Sequence, residues 1–103
     1  EVDRIFRALA DSTRRDILRR TLGDGASVSH LAESYEMSFA AVQKHVAVLE
    51  RAGLLTKRRQ GREALARGDL QVVRSTAALL TELEHAWRGR IDRIDALLDQ
   101  LKE

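Results

Sequence analysis

From Val73 to Leu101 apolar residues recur at steps of three and four: Val73, Ala77, Leu80, Leu83, Trp87, Ile91, Ile94, Leu98 and Leu101. No proline interrupts them, because the chain has none. That spacing predicts one helix over about 70–101, capped by Asp69 and on the order of 45 Å long. Gly89 lies inside it and weakens it by roughly 1 kcal/mol relative to Ala, as a point of close approach or of bending. A chain of 103 residues has too few other helices to cover so long a stripe. The expected cover is the same helix of a second copy, together with Val2, Ile5 and Phe6 near the start. Antiparallel packing within one chain is the competing arrangement.

The remaining sequence fits a single domain over residues 1–103 with one modest core. Hydrophobic residues make up 44% and charged residues 33%, a balance that fits a soluble globular domain. There is no Cys, which excludes disulfides, thiolate metal sites and cysteine nucleophiles. No apolar run is long enough to span a bilayer, and no signal-peptide pattern opens the chain. The cytoplasm is the expected location. The chain begins on Glu1 rather than Met, so a few residues are expected to precede it.

Val2, Ile5, Phe6 and Leu9 space a first helix. Asp11 or Ser12 caps a second, over about Thr13 to Leu22, that buries Ile17, Leu18 and Leu22. Its Arg14, Arg15, Arg19 and Arg20 face outward. They are expected to pair with local acids such as Asp11 and Asp16, the alternative being phosphates. After the Gly23-Asp24-Gly25 loop, Ser27 caps a short helix from Val28 to about Tyr35. Glu36-Met37 is a tight link to Ser38, which caps a helix over about 38–52 that ends at Gly53. Val42, Val46 and Leu49 form its inner face, with His45 beside them as a hydrogen-bonded core residue. Ala40, Gln43, Lys44, Ala47 and Arg51 form an outer face without an acid. Short helix, turn and longer helix are the layout of a helix-turn-helix, whose second helix enters the major groove.

Residues 54–67 change character. Leu54 to Arg59 is extended, Gln60-Gly61-Arg62 turns with Gly61 able to take positive φ, and Glu63 to Arg67 returns with Leu65 as its main apolar side chain. This is a β-hairpin wing with Arg58, Arg59 and Arg62 near its tip. Its second strand, EALAR, has weak β-propensity. The fold class is therefore mainly α with a small β-hairpin. Charge sharpens the picture: residues 38–67 hold 7 Lys/Arg against 2 Asp/Glu, a net +5. Residues 1–37 carry a net −1 (6 against 7) and residues 68–103 a net −2 (5 against 7). A basic segment on an otherwise balanced domain suggests a nucleic-acid footprint.

Catalytic signatures are missing: no Gly-rich phosphate loop, no Gly-x-Ser-x-Gly and no His-Glu-x-x-His occurs. No catalytic residue, metal ligand or cofactor is assigned. Glu82, Glu84, His85, Asp92 and Asp95 on the last helix are a weak zinc candidate, since one His among acids is also what a solvated face looks like.

Three stretches, RIFRALADSTRRDIL (4–18), MSFAAVQKHVAVLERAGLL (37–55) and KRRQGRE (57–63), together resemble the ArsR/SmtB-like winged-helix transcriptional regulators. The tail AWRGRIDRIDALLDQL (86–101) resembles a subgroup with a Trp in its last helix. The resemblance covers nearly the whole chain. It implies a winged helix-turn-helix, a homodimeric repressor of promoter DNA that dimerises through its N- and C-terminal helices. The interface would then include Ile5, Phe6, Leu80, Leu83, Trp87, Ile91, Ile94 and Leu98. DNA contacts carry over to Ser38, Ala41, Gln43, Lys44, Arg58 and Arg62. Gln43 is the expected base reader, of an adenine edge, and Lys44, Arg58 and Arg62 the expected phosphate contacts, on inverted half-sites one helical turn apart. The family's cysteine metal motif is missing, as is the zinc sensors' set of Asp and His ligands on the last helix, so metal sensing does not transfer. Its Tyr-rich second wing strand is EALAR here. No effector is assigned. Competing functions are a metal- or ligand-responsive sensor and a protein-interaction module that has lost DNA binding.

Overall fold

The computed structural model describes residues 1–102. The chain divides into two compact units, residues 1–73 and residues from 74 onward. The first contains α1 (Val2–Leu9), α2 (Ser12–Thr21), β1 (Ala26–Ser27), α3 (Val28–Ala32), α4 (Phe39–Arg51), β2 (Leu55–Gln60) and β3 (Glu63–Gly68). The long α5 (Leu70–Leu101) begins in the first unit and makes up the second.

Side-chain caps set the helix starts. Asp11 accepts from the Arg14 amide at 3.0 Å, Ser27 from His30 at 3.1 Å, and Ser38 from Ala41 at 3.1 Å. Asp69 accepts from Gln71 and Val72 at 3.0 and 3.3 Å. Each bond satisfies an amide that the first turn leaves without an intrahelical partner. Helix α4 ends in a Schellman motif: Leu54 N–H bonds Leu49 C=O and Gly53 N–H bonds Glu50 C=O, both at 3.0 Å. The motif needs a left-handed residue, and Gly53 sits at φ 79°.

The core of the first unit gathers one stripe from each element. Val42, Val46 and Leu49 of α4 are fully buried, with Ile17 and Leu18 of α2, Val28 and Leu31 of α3, and Leu54 and Leu55 beyond α4. Leu22 only packs against this core, while Thr21 is buried in its place, its hydroxyl donating back to Ile17 and Leu18 carbonyls at 3.0 Å. A polar side chain survives there because the preceding turn of its own helix satisfies it.

The sheet has three strands, in the order β1-β3-β2, all antiparallel. The two-residue β1 was not anticipated from the sequence. It pairs Ala26 with Ala66 and Ser27 with Leu65, which makes β3 the central strand. That placement overcomes the weak propensity of EALAR, since β3 gains ladder bonds on both edges. The buried residue of β3 is Ala66 rather than Leu65, which is half-buried. The hairpin runs in register from Leu55↔Gly68 to Gln60↔Glu63, with Gly61 at φ 65° in the turn.

Two expectations about the helix-turn-helix region are corrected. Helix α3 stops at Ala32, not Tyr35, and continues as i→i+3 turns through Ser34 and Tyr35 amides. The link to α4 is therefore Glu33–Ser38, longer than three residues. Tyr35 leaves the helix because its hydroxyl donates to Asp16 Oδ2 at 2.6 Å, tying the link to α2. Arg20 reaches the same carboxylate at 2.7 Å and lies over the Tyr35 ring at 5.7 Å, and Arg19 adds a bond at 3.0 Å. Secondly, Arg14 and Arg15 do not spend their guanidinium groups on acids. Arg14 donates to the Ala8 and Arg7 carbonyls at 2.7 and 3.0 Å, and Arg15 to Leu9 at 2.8 Å. They satisfy the carbonyl end of α1, where cations are also favoured by the helix dipole.

In α5 the apolar stripe lies exposed in the second unit: Leu80, Leu83, Trp87, Ile91, Ile94 and Leu98, with Trp87 at 59%. The helix runs unbroken through Gly89, where an added Cβ would meet only Arg93 at 3.9 Å.

The hydrogen bond from Tyr35, then that from Arg20, holds the Asp16 carboxyl below its ordinary 3.8. Burial first and Asp16 second push the Tyr35 phenol up to about 12. A carboxyl whose folded value is lowered contributes stability that is complete above its unfolded value and is lost as pH falls through the folded one. Tyr35→Phe is therefore expected to cost about 1–2 kcal/mol at neutral pH. Urea denaturation at fixed protein concentration should show the gap to the parent narrowing as pH drops below Asp16's ordinary 3.8.

Candidate nucleic-acid interface

The inner stripe of α4 fixes what its other side presents. With Val42, Val46 and Leu49 buried, Ala40, Gln43, Lys44 and Arg51 are exposed and Ala47 half-exposed. Ala41 is half-buried behind the first turn. Ser38 uses its oxygen as the cap and keeps its O–H free to donate. The exposed first turn also directs unpaired amides outward, which favours an anion there.

His45 lies between the two faces, its side chain 23% exposed. Arg14 Nη1 stands 3.4 Å from its Nδ1, and Asp11 Oδ2 stands 3.9 Å away. Arg14 thus joins the carbonyl end of α1 to the flank of α4. Asp11 is held below the ordinary carboxylate range chiefly by the Arg14 amide, with His45 and the Arg14 charge adding to it against burial. These contacts tie the flank of α4 to α2 and to the end of α1.

The period of two along β2 separates the wing cations. Lys57 and Arg59 share a face with Ala66 and Ala64, whereas Arg58 lies on the opposite face with Leu65 across from it. Arg59, Arg62 and Lys57 line a depression of about 160 Å³ together with Gln43 and Phe39 of α4. The structure therefore brings Gln43 and Arg62 together, two of the residues expected from sequence. Ser38, Ala41 and Lys44 lie along α4 outside that depression, and Arg58 is on the far side of the wing. The sequence places Arg59 near the wing tip but not among the expected DNA contacts, and it does not single out Phe39. Strand alternation points to Arg59, and the position of Phe39 directly after the cap points to the ring.

Lys57 reaches Glu50 at 3.9 Å. Among the described residues, no ion pair engages Lys44, Arg58, Arg59 or Arg62. Cations without an ion-pair partner stay attracted to an external polyanion, and among the described residues Glu63 is the one acid that lines the depression. In the second unit, Arg88 pairs with Glu84 at 3.3 Å, and among the described residues no three of His, Asp and Glu gather closely enough to hold a metal. No helix among the described residues is long and apolar enough to cross a membrane.

Comparison with known proteins agrees with this geometry. The family model of a helix-turn-helix domain matches residues 9–58, which span α2 through most of β2. The chain is 34% identical over 97 residues to the HTH-type transcriptional regulator Rv2034 of Mycobacterium tuberculosis, covering 94% of this chain and 88% of that protein. Among solved structures, an ArsR-like transcriptional regulator from Rhodococcus sp. RHA1 superposes with a TM-score of 0.82 at 30% identity, over 93% of this chain and 91% of that one. The winged helix-turn-helix DNA-binding domain of Mb0332 from Mycobacterium bovis, described as homodimeric, superposes with a TM-score of 0.67 at 25% identity, over 81% and 78% of the two chains. A hairpin packed after a capped second helix, and relatives matched along nearly the full length, lead to one conclusion: this chain belongs to the ArsR-like winged helix-turn-helix transcriptional regulators, with a helix-turn-helix DNA-binding domain.

Proposed function

We propose that residues 1–103 act as one regulator that represses transcription as a homodimer bound to an inverted repeat in promoter DNA. The observation that carries this reading is the set of cations without an ion pair on α4 and the wing, Lys44, Arg58, Arg59 and Arg62, of which Arg59 and Arg62 line the depression beside the first turns of α4. Helix α4 enters the major groove and the wing flanks it. Ser38 and Ala41 approach the backbone closely at the first turn. Gln43 offers both a carbonyl and an amide group and pairs with an adenine edge. Lys44, Arg58 and Arg62 hold phosphates and so supply affinity more than sequence choice. Repression follows from occupancy: a dimer seated on a promoter competes with polymerase. The action takes place in the cytoplasm, where the DNA is.

The second copy is needed because of the apolar surface. The stripe Leu80, Leu83, Trp87, Ile91, Ile94 and Leu98 is exposed, as are Phe6 at 39% and Val2 at 47%. An exposed apolar stripe along one helix marks an interface. Ile5 contributes less than the sequence suggests, since it is half-buried and packs on the core of its own chain. Homodimerisation also fits the inverted symmetry of an operator, because two identical reading helices then meet two identical half-sites.

Titration of promoter DNA at several salt concentrations tests the phosphate contacts. Lys44→Ala is expected to weaken binding and to lower the slope of log K against log salt by about 1 per subunit. An unchanged slope removes Lys44 from those contacts. Trp87→Ala is expected to raise the dimer dissociation constant by about thirtyfold, the effect of losing on the order of 2 kcal/mol at a central aromatic anchor. Sedimentation equilibrium reads this directly, and an undiminished dimer would count against the α5 interface.

A further inference from the structure

Phe39 is the one large apolar side chain of α4 that stays in water. It is the first residue of the helix and its side chain is 46% exposed, whereas Val42, Val46 and Leu49 are fully buried. The other exposed large apolar residues of the first unit, Val2, Phe6 and Leu70, lie on α1 and at the start of α5. Phe39 and Gln43 are four residues apart and so share one face of α4. Both line the depression, as do Val28, Val46, Lys57, Arg59, Arg62 and Glu63. An apolar ring thus sits beside an amide, among three cations (Lys57, Arg59 and Arg62) and one acid (Glu63), at the end of the helix that favours anions.

The occupant this chemistry selects is a polyanion with an apolar spot between hydrogen-bonding edges. Duplex DNA has such a spot: the C5-methyl of thymine projects into the major groove, between the donors and acceptors of its neighbours. Cytosine has no methyl and presents an amino donor that a phenyl ring cannot satisfy. One helical turn separates Phe39 from Gln43, about 6 Å along the axis, or one to two base-pair steps. We propose that Phe39 is a specificity-determining residue that reads a thymine methyl group one or two base pairs from the base contacted by Gln43. This rests on the reading of the chain as a DNA-binding regulator. The ring adds sequence choice to a surface whose cations add affinity alone.

The test uses the full chain and a site selected from random duplex DNA. Each thymine of that site is replaced in turn by deoxyuridine, which removes the methyl and leaves the pairing edge intact. The parent protein is expected to lose about fivefold in affinity at one thymine per half-site, the worth of one buried methyl contact. Phe39→Ala is expected to bind the thymine site about fivefold or more weakly and to ignore that same replacement. Phe39→Leu should retain most of the methyl sensitivity. The proposal is overturned if the parent is indifferent to every methyl, if Phe39→Ala shows the same loss as the parent, or if both variants weaken binding to all sequences equally. A parent that shifts no DNA at low salt overturns the regulator reading as well, which separates the two failures.

Discussion

Burial of Val42, Val46 and Leu49 is the constraint on which the rest of the first unit depends. These three residues lie on one side of α4, and their removal from water holds the helix against α2, α3 and the hairpin. Each fully buried aliphatic side chain contributes roughly 1.5–3 kcal/mol, so the stripe outweighs any single polar contact in the fold. Once the stripe is fixed, the rotation of the helix is fixed too. Gln43 and Lys44 then face water whatever else the chain does. The Ser38 cap and the Schellman turn at Gly53 set the two ends, so position and length of the exposed face follow from the same few residues.

Hydrophobic packing leaves some freedom in the angle of α4, and polar contacts remove it. Arg14 carries bonds to Arg7 and Ala8 carbonyls on one side and stands against His45 on the other. Tyr35 and Asp16 do the equivalent work at the entry to the helix. Both networks are partly exposed, so each bond adds modest free energy. Their effect is directional. A nucleic-acid surface must match phosphates spaced a few ångströms apart, and a rotation of α4 would turn Gln43 away from the depression it shares with Arg62.

What could be read from the chain alone follows this division. The 3.6-residue period exposed α4 and α5, and the caps at Asp11, Ser27, Ser38 and Asp69 were visible because each bonds an amide two or three residues away. Gly53 and Gly61 were legible for the same reason, their turns being local. The strand β1 was not, because two residues have no periodicity and their partners lie about 40 positions ahead. The burial of Ala66 in preference to Leu65 also depends on that pairing. Arg14 and Arg15 looked like partners for nearby acids, yet backbone carbonyls of the preceding helix took them. Within the candidate site, the alternation that puts Arg59 rather than Arg58 beside Gln43 was implicit in the strand, but only the register with Ala64 and Ala66 fixes which face is which.

The two units pose complementary problems, and the proposed dimer would answer both. In the proposed complex a single subunit would bring about four unpaired cations to DNA, which at physiological salt supports only weak, sequence-tolerant binding. A single α5 leaves its apolar stripe in water. In the proposed dimer, two copies would bury the stripe and make the second half-site encounter intramolecular, so the affinity of the pair would exceed that of either head without a new contact. The number of phosphates neutralised doubles as well, and with it the sensitivity to salt. Gains in affinity of this kind are blind to sequence. Discrimination has to come from the few side chains that touch base edges, and on this α4, with alanines at three of its outer and flanking positions (40, 41 and 47), those are few. The small residues permit close approach of the backbone, and on the proposed reading that closeness lets one amide at Gln43 and one ring at Phe39 distinguish a site.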